Sequence, residues 1–267
     1  MTYWDWESSG PTILLLHHSS GFGRAWDWLA RALHPDFRIV APDLRGHGDT
    51  DKPAKGYAAE DHAADIEDLI RHLGLDWLIV GGYSLGGRVG LIYAAEHPRQ
   101  VQYLLLVGGP HYVSLVADAA ESERVKLNAE KMRTSPRRIA SLAEAKELLR
   151  SARPYLNDAA LNHILTYNTN RDAAGGVEWK YDPVAVAEGL AHIPDALNPH
   201  VRRLECPVLI ARAEGSRELT PERVPQIASL FPLGQWVTIE GAQMLIQLEQ
   251  PVALANAIRS FVWERLD

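Results

Sequence analysis

A single cysteine, Cys206, occurs among the 267 residues, which excludes an internal disulfide framework and a zinc site built from several cysteines. Positive charge is not in excess either, because 27 lysines and arginines stand against 34 aspartates and glutamates, for a net charge of −7. A nucleic-acid-binding protein is expected to show a basic face, so no nucleic-acid partner is predicted. No apolar run approaches the roughly 18 residues of a membrane span, and residues 1–6 do not resemble a secretory signal. We therefore expect a cytoplasmic protein without a membrane partner.

Short apolar runs bounded by turn residues dominate what is present. Runs of four to seven such residues are typical of strands buried on both faces of a parallel sheet. They occur at 12–16, 37–41, 77–80, 101–107, 207–211 and 235–239, with room for one more short strand at 3–6. Stretches with helical periodicity separate them, at 25–33, 60–73, 85–97, 221–231 and 251–266. This alternation predicts an α/β fold with a mostly parallel central sheet flanked by helices.

One long stretch, residues 113–198, interrupts the alternation. It shows helical signals at 143–152, 158–167 and 183–190 and no convincing strand. A helical insertion of this size inside an α/β sheet is typical of a cap, although a plain structural layer would give the same pattern. The sequence thus predicts a core formed by residues 1–112 and 199–267 and an inserted helical cap formed by residues 113–198.

The pentapeptide Gly82-Tyr83-Ser84-Leu85-Gly86 has the pattern G-x-S-x-G and lies between a predicted strand and a predicted helix. A strand-to-helix elbow of this type holds its central serine in a strained, exposed conformation, and glycines relieve the crowding around it. The helix that begins at Leu85 points N–H groups and the positive end of its dipole at the serine. Ser84 is therefore the candidate nucleophile.

At this point the sequence resembles the α/β-hydrolase fold family, over nearly its whole length. The segments that carry the resemblance are Leu14-Leu15-Leu16-His17 with the following Ser19-Ser20-Gly21, Asp43-Leu44-Arg45-Gly46-His47-Gly48, Cys206-Pro207-Val208-Leu209, and Ile239-Glu240-Gly241-Ala242 with Glu249-Gln250-Pro251. The resemblance implies an oxyanion hole formed by the N–H groups of Ser19 and Leu85. It also implies a catalytic acid and a catalytic histidine beside the serine.

The chain departs from the family pattern at both of those positions. The histidine position carries Met244, whose thioether cannot accept a proton at neutral pH. The acid position falls near Ser216 or Arg217, with Glu214 and Glu218 as shifted alternatives. The other place where some family members carry the acid is Gly108. The sequence therefore predicts a degenerate triad.

Two unusual histidines are candidates for a replacement base. His18 stands where the family keeps a glycine in its oxyanion loop, and His111 follows the end of a predicted strand. Imidazole, with an ordinary pKa near 6.5, is the usual side-chain base near neutral pH. His47 is expected to be structural. The predicted substrate pocket contains, in addition, His17, Trp26, Tyr83, Trp179, His192 and Met244.

The leading functional hypothesis is hydrolase-like action on a small, largely apolar carbonyl compound such as an ester or lactone. An alternative is a cofactor-free, non-hydrolytic enzyme, for example a cyclase, lyase, isomerase or oxygenase, in which the oxyanion hole stabilises an enolate. A third hypothesis is that the protein binds a ligand and is catalytically inactive. No cofactor or metal motif is evident, so none is predicted, and the expected partner is a small-molecule substrate bound by a monomer or homodimer.

Overall fold

The computed structural model describes residues 1–108, 119–192, 197–231 and 233–264. Its central feature is a seven-stranded sheet with the order β1-β3-β2-β4-β5-β9-β10, in which only the β1–β3 pair is antiparallel. The strands are β1 (Tyr3–Trp6), β2 (Thr12–Leu16), β3 (Arg38–Pro42), β4 (Leu78–Tyr83), β5 (Val101–Val107), β9 (Val208–Ala213) and β10 (Gly234–Ile239). The prediction of an α/β fold with a mostly parallel sheet is confirmed.

Helices cover both faces of this sheet, as its sequence pattern predicts. They are α1 (Asp27–Leu33), α2 (Ala59–Leu73), α3 (Leu85–Glu96), α8 (Asn198–Val201), α9 (Arg223–Ala228), α10 (Ile246–Glu249) and α11 (Pro251–Trp263). Strand residues alternate between the two hydrophobic cores. Ile13 and Leu15 pack with the core that includes α1 and α11, while Leu14 and Leu16 pack with the core that includes α2 and α3. All four side chains are fully buried, which is why these runs are continuously apolar.

The segment between β5 and β9 contains the helices α4 (Ala119–Arg133), α5 (Leu142–Ala152), α6 (Asp158–Tyr167) and α7 (Pro183–Ala191). The predicted caps of α5 and α6 are present, because Ser141 Oγ accepts from the Glu144 N–H and Asn157 Oδ1 from the Ala160 N–H. The segment also holds a small antiparallel sheet of β6 (Arg138–Ile139), β7 (Thr169–Arg171) and β8 (Val177–Trp179), which the sequence pattern did not predict. Strands of two or three residues are too short to show a period. The exact boundaries of core and cap remain a prediction.

The topology fixes where a ligand would bind. From β2 the chain crosses to β3 on one side of the sheet and then to β4 on the other, so the order reverses between β2 and β4. In open parallel sheets, ligands bind outside the carboxyl ends of the strands at such a switch point. Here those ends carry the loop that begins at His17 and the turn that holds Ser84. In the described residues, no helix is both long and apolar enough to cross a bilayer.

Candidate active site

Ser84 lies in a strained turn between β4 and α3. Its backbone adopts φ 53° and ψ −112°, a sparsely populated region for a residue with a side chain. Such conformations cost about 1–3 kcal/mol and are held only by the surrounding structure. Gly86 permits the turn, because a Cβ there would lie 2.1 Å from the Leu16 carbonyl oxygen. The Ser84 hydroxyl has no hydrogen-bond partner, and hence no general base, among the residues that the structure describes.

The two predicted oxyanion-hole donors are the N–H groups of Leu85 and Ser19. Leu85 is the first residue of α3, where the helix has no partner for its N–H groups. Neither N–H donates a hydrogen bond to any residue that the structure describes. Both donors are therefore available to a ligand, and the positive end of the α3 dipole reinforces the one from Leu85.

Two buried histidines hold the loop that carries Ser19. The Leu44 N–H donates to His17 Nε2 at 2.9 Å, so His17 Nδ1 carries the proton and donates to the His18 carbonyl at 2.8 Å. In the same way the Ser20 N–H donates to His47 Nε2 at 3.1 Å, and His47 Nδ1 donates to the Arg45 carbonyl at 2.9 Å. Burial lowers the pKa of His17 well below its ordinary value and that of His47 to about 4. Both rings are neutral at pH 7 and serve as structural hydrogen-bonding groups.

His18 differs from these two because no hydrogen bond to its ring is found among the described residues. Its Nδ1 atom is buried without a hydrogen-bond partner, and the ring packs edge-on against Tyr83, with centroids 5.3 Å apart. Burial, with a contribution from the Arg153 charge, lowers the pKa of His18 to about 3. His18 is thus a neutral imidazole at pH 7 that can accept a proton, but it is a much weaker base than an unperturbed histidine.

A small cavity of about 40 Å³ lies between the oxyanion loop, the cap and the segment that leads into α10. Its polar lining side chains are His18, Ser20, Arg153 and Asn168. Its other lining side chains are largely apolar, namely Phe22, Ala25, Leu149, Ile164, Trp179, Tyr181, Leu245 and Leu248. The Asn168 amide links cap to loop, since its Nδ2 donates to the Ser20 carbonyl at 3.0 Å.

The position expected for a catalytic histidine lies in the turn after β10. Glu249 fixes this turn by accepting the N–H groups of Gln243 and Met244 at 2.7 and 2.8 Å. The Met244 side chain is 44% exposed, and its sulfur accepts a hydrogen bond from the Tyr155 hydroxyl at 3.3 Å. Burial raises the pKa of Tyr155 to about 12, so neither partner is a base at neutral pH.

The loop after β9 is built around an arginine. The buried Arg212 guanidinium donates to the Leu219 carbonyl at 2.6 Å and to the Glu214 carbonyl at 2.8 Å. The two candidate acids are engaged elsewhere: Glu214 accepts the Gly241 N–H at 2.9 Å, and Glu218 lies 3.8 Å from Arg124. At the alternative acid position, Gly108 has φ +50°, and a Cβ there would meet the Tyr83 ring at 2.9 Å.

The structure places the other predicted site residues as follows. Trp179 lines the cavity and stacks on Tyr181, with centroids 5.8 Å apart. Trp26 is fully buried in the core, with no partner for its indole N–H, while its neighbours Phe22 and Ala25 line the cavity. The predicted residues that do not line this cavity are His17, Ser19, Tyr83, Ser84, Leu85, His192 and Met244. His192 follows the last residue of α7. His111 lies outside the described residues.

Sequence reasoning missed several cavity residues. Ser20 and Phe22 lie within three residues of Ser19, so the sequence could have placed them in the oxyanion loop and hence at the cavity. Arg153 and Asn168 end two cap helices that the sequence predicts, but nothing in the pattern indicates that these ends face the core. For a metal ion, no group of three His, Cys, Asp or Glu side chains converges within the ranges described. The elbow therefore offers a serine hydroxyl beside the Leu85 N–H, and the separate cavity offers a neutral imidazole and one guanidinium. The two are linked by the contact of the His18 ring with Tyr83, the residue before Ser84.

Comparison with known proteins agrees with the fold. A family model described as alpha/beta hydrolase fold matches residues 11–251. The 2-(acetamidomethylene)succinate hydrolase of Mesorhizobium japonicum is 27% identical over 256 residues, which cover 96% of this chain and 89% of that protein. A crystal structure of E-2-(acetamidomethylene)succinate hydrolase matches with a TM-score of 0.85 at 26% identity, over 96% of this chain and 92% of that one.

A more distant solved structure shares the fold alone. The thioesterase domain from the curacin biosynthetic pathway has a TM-score of 0.77 at 23% identity, over 96% of this chain and 94% of that chain. The family match spans β2 to β10 of the sheet, the elbow at Ser84 and the turn at Met244, and leaves out β1. The chain belongs to the α/β-hydrolase fold family.

Proposed function

We propose that this protein is a serine-dependent acyl hydrolase for small, activated carbonyl compounds such as aryl esters or thioesters. In this mechanism Ser84 Oγ attacks the carbonyl carbon, and the N–H groups of Ser19 and Leu85 stabilise the oxyanion. The observation that carries the proposal is the strained backbone of Ser84 next to the Leu85 N–H, which, like the Ser19 N–H, donates to no residue that the structure describes. A fold that needed only a turn would have no use for this strain.

His18 is the proposed proton acceptor, because it is the one imidazole among the side chains that line the described cavity. With a pKa of about 3, it removes a proton from Ser84 far less effectively than a base poised near pH 7. The reaction then depends on a leaving group that departs without being protonated. We expect aryl esters and thioesters to react and simple alkyl esters and amides to react very slowly.

The lack of a strong base also affects deacylation, the second half of the reaction. Hydrolysis of an acyl-serine needs a base that activates water, and neither Met244 nor Gly108 supplies one. We therefore expect a rapid burst of one product equivalent, followed by slow turnover, with the acyl group accumulating on Ser84.

The test is labelling by a fluorophosphonate probe and a burst experiment with 4-nitrophenyl acetate, both followed by intact-protein mass spectrometry. One adduct per chain is expected, and Ser84→Ala should abolish both the adduct and the burst. Ser229→Ala, which alters an exposed serine on the far side of α9, is the matched control. A burst that persists undiminished in Ser84→Ala would overturn the proposal.

The absence of a strong base at Met244 favours one second candidate, a non-hydrolytic proton transfer in which the oxyanion hole binds an enolate. Exchange of the α-protons of an enolisable ketone with deuterium, observed by NMR, distinguishes it. Exchange that survives Ser84→Ala but is lost in His18→Phe would favour this candidate. Exchange at the rate of buffer alone would exclude it.

A further inference from the structure

Arg153 is a half-buried cation at the wall of the cavity. It caps the C-terminal end of α5 and lies among mostly apolar side chains. No carboxylate within the described ranges forms an ion pair with it, whereas Arg150 on the preceding turn pairs with Glu147 and Asp158. A partly desolvated guanidinium without a counter-ion is unfavourable, so a site of this kind is suited to an anion.

The carboxylates of Glu249 and Glu218 contact groups other than Arg153. Both oxygens of Glu249 accept backbone N–H groups in the turn at Met244, and Glu218 lies near Arg124. The Arg153 charge acts on the pKa values of uncharged rings around the cavity. It adds to the lowering of the His18 pKa, which is mainly due to burial, and it opposes the rise that burial causes in the pKa values of Tyr155 and Tyr181. The positive potential is therefore directed at the cavity.

Two further polar atoms in the cavity wall lack partners. His18 Nδ1 and Asn168 Oδ1 are both fully buried without a hydrogen bond. Buried polar atoms are almost always bonded, and an unbonded one needs an explanation. A polar ligand group inside the cavity would explain His18, because a neutral imidazole can donate from Nδ1.

We propose that Arg153, with His18 beside it, forms a subsite for a carboxylate on the acyl part of the substrate. The proposal rests on the function proposed above and defines its substrate class: acyl compounds that carry a second, free carboxylate. Arg153 would donate a bidentate pair of hydrogen bonds to the carboxylate. The cavity volume of about 40 Å³ suits such a headgroup. The His18 ring lines the cavity and contacts Tyr83, the residue before Ser84, so the proposal places the rest of the acyl chain on that side of the cavity.

Binding is measured without turnover, in a Ser84→Ala background, by calorimetric titration with monomethyl adipate and with the neutral dimethyl adipate. We expect the monoacid to bind at least tenfold more tightly than the diester. Arg153→Met should weaken monoacid binding by about 10- to 100-fold and leave diester binding unchanged, since a charge-assisted hydrogen bond is lost. Arg171→Met, which removes an exposed guanidinium of the cap, is the matched control.

Equal affinities for the two adipates, or a monoacid affinity that Arg153→Met leaves unchanged, would overturn the subsite. If thermal melting shows that Arg153→Met does not fold, two other measurements test the subsite. They are the affinities of the Ser84→Ala protein for the two adipates and the monoacid affinity of the conservative Arg153→Lys variant. Because Ser84 is absent from these proteins, the result is independent of catalysis. A failed burst with preserved monoacid preference would reject the hydrolase and keep the subsite.

Discussion

Met244 stands at the position where the family resemblance predicts a histidine, in a turn whose backbone is fixed by Glu249. Glu249 accepts two N–H groups there, and those bonds do not depend on which side chain occupies position 244. The exposed thioether contributes one long hydrogen bond from Tyr155. The position is therefore open to a change in chemistry with little change in structure.

Met244→His should increase the hydrolysis of 4-nitrophenyl acetate. A positioned general base contributes about 10²–10⁴-fold in complete sites, and without an acid partner we expect a gain near the lower end, about tenfold or more. The gain should appear mainly in the steady-state rate after the burst, because an imidazole can activate water for deacylation. Met244→Leu removes the thioether without adding a base and is the control. Equal steady-state rates in the two variants would contradict the prediction.

Gly86 is the residue on which the elbow most depends sterically. A Cβ at this position would lie 2.1 Å from the Leu16 carbonyl oxygen, and backbone cannot move aside as a side chain can. Gly86→Ala should therefore lower the free energy of unfolding by about 3 kcal/mol or more, at the upper end of overpacking effects. Gly74→Ala is the comparison, because nothing lies within 4 Å of its Cβ and only the strain of φ +63° applies, about 1 kcal/mol. Urea denaturation measures both, and similar losses would refute the steric argument.

At the scale of the element, the loop that carries Ser19 is held by hydrogen bonds from two sides. His47 holds it on the side of the core, and Asn168 holds it on the side of the predicted cap. His47 bonds the Ser20 N–H and the Arg45 carbonyl through its two ring nitrogens, and Asn168 bonds the Ser20 carbonyl. Ser20 itself has φ +62°, so its conformation needs these contacts. The N–H of Ser19, one residue earlier, depends on the same restraints for its direction.

His47→Phe should disturb this loop while keeping the volume of the ring. Two partly buried backbone groups lose their partners. Full burial would make this cost about 1–3 kcal/mol each, so we expect a loss of about 2–4 kcal/mol in the free energy of unfolding. The burst with 4-nitrophenyl acetate should also slow by at least tenfold, because the Ser19 donor is no longer fixed. His72→Phe, on the exposed face of α2, should change neither quantity. If folded His47→Phe shows an unchanged burst, the restraint on the loop by His47 does not contribute to the reaction, and the prediction is wrong.

Elements were predictable where burial leaves a period in the sequence. The continuous apolar run of β2 and the capping residues Ser141 and Asn157 each predicted an element whose bounds differ from those observed by at most one residue. The strands β6, β7 and β8 were missed because two or three residues, partly exposed, carry no alternation.

The site was predictable to the extent that it follows from local turns. Ser84 and the N–H groups around it belong to contiguous motifs, and the structure brings them to the switch point of the sheet. Arg153, Asn168 and Arg212 act through contacts between distant segments, for example the bond from Asn168 to Ser20. No spacing along the chain encodes such contacts, so the sequence alone could not assign them.

At the scale of the whole molecule, buried neutral histidines couple folding to pH. His17, His47 and His62 lie in one buried region, with the His17 and His47 rings 5.0 Å apart, and burial lowers the pKa of each. In the unfolded chain they titrate near 6.5. As pH falls below 6.5, the unfolded state takes up protons that the folded state cannot, so the folded state loses stability.

One buried carboxyl has the opposite effect. Burial raises the pKa of Asp43 to about 6, although it accepts the N–H groups of Gly23 and Asp49. Between its unfolded value of 3.8 and 6, the folded state therefore binds the extra proton, and stability falls as pH rises. Between pH 3.8 and 6, the effect of Asp43 on the free energy of unfolding cancels that of one histidine. The effect of at least two of the three histidines therefore remains.

The free energy of unfolding should therefore fall as pH is lowered from 6.5 toward 4, by about 1.4 kcal/mol per pH unit for each uncompensated histidine. Urea denaturation at pH 7.5, 6.0 and 5.0 measures the slope. His62→Phe should reduce it by about one histidine's share, because His62 is 1% exposed and its Nδ1 has no partner. His72→Phe, an exposed residue on the same helix, should leave the slope unchanged. A stability that is flat, or that rises on acidification below pH 6.5, would show that these rings are charged or solvated in the folded protein.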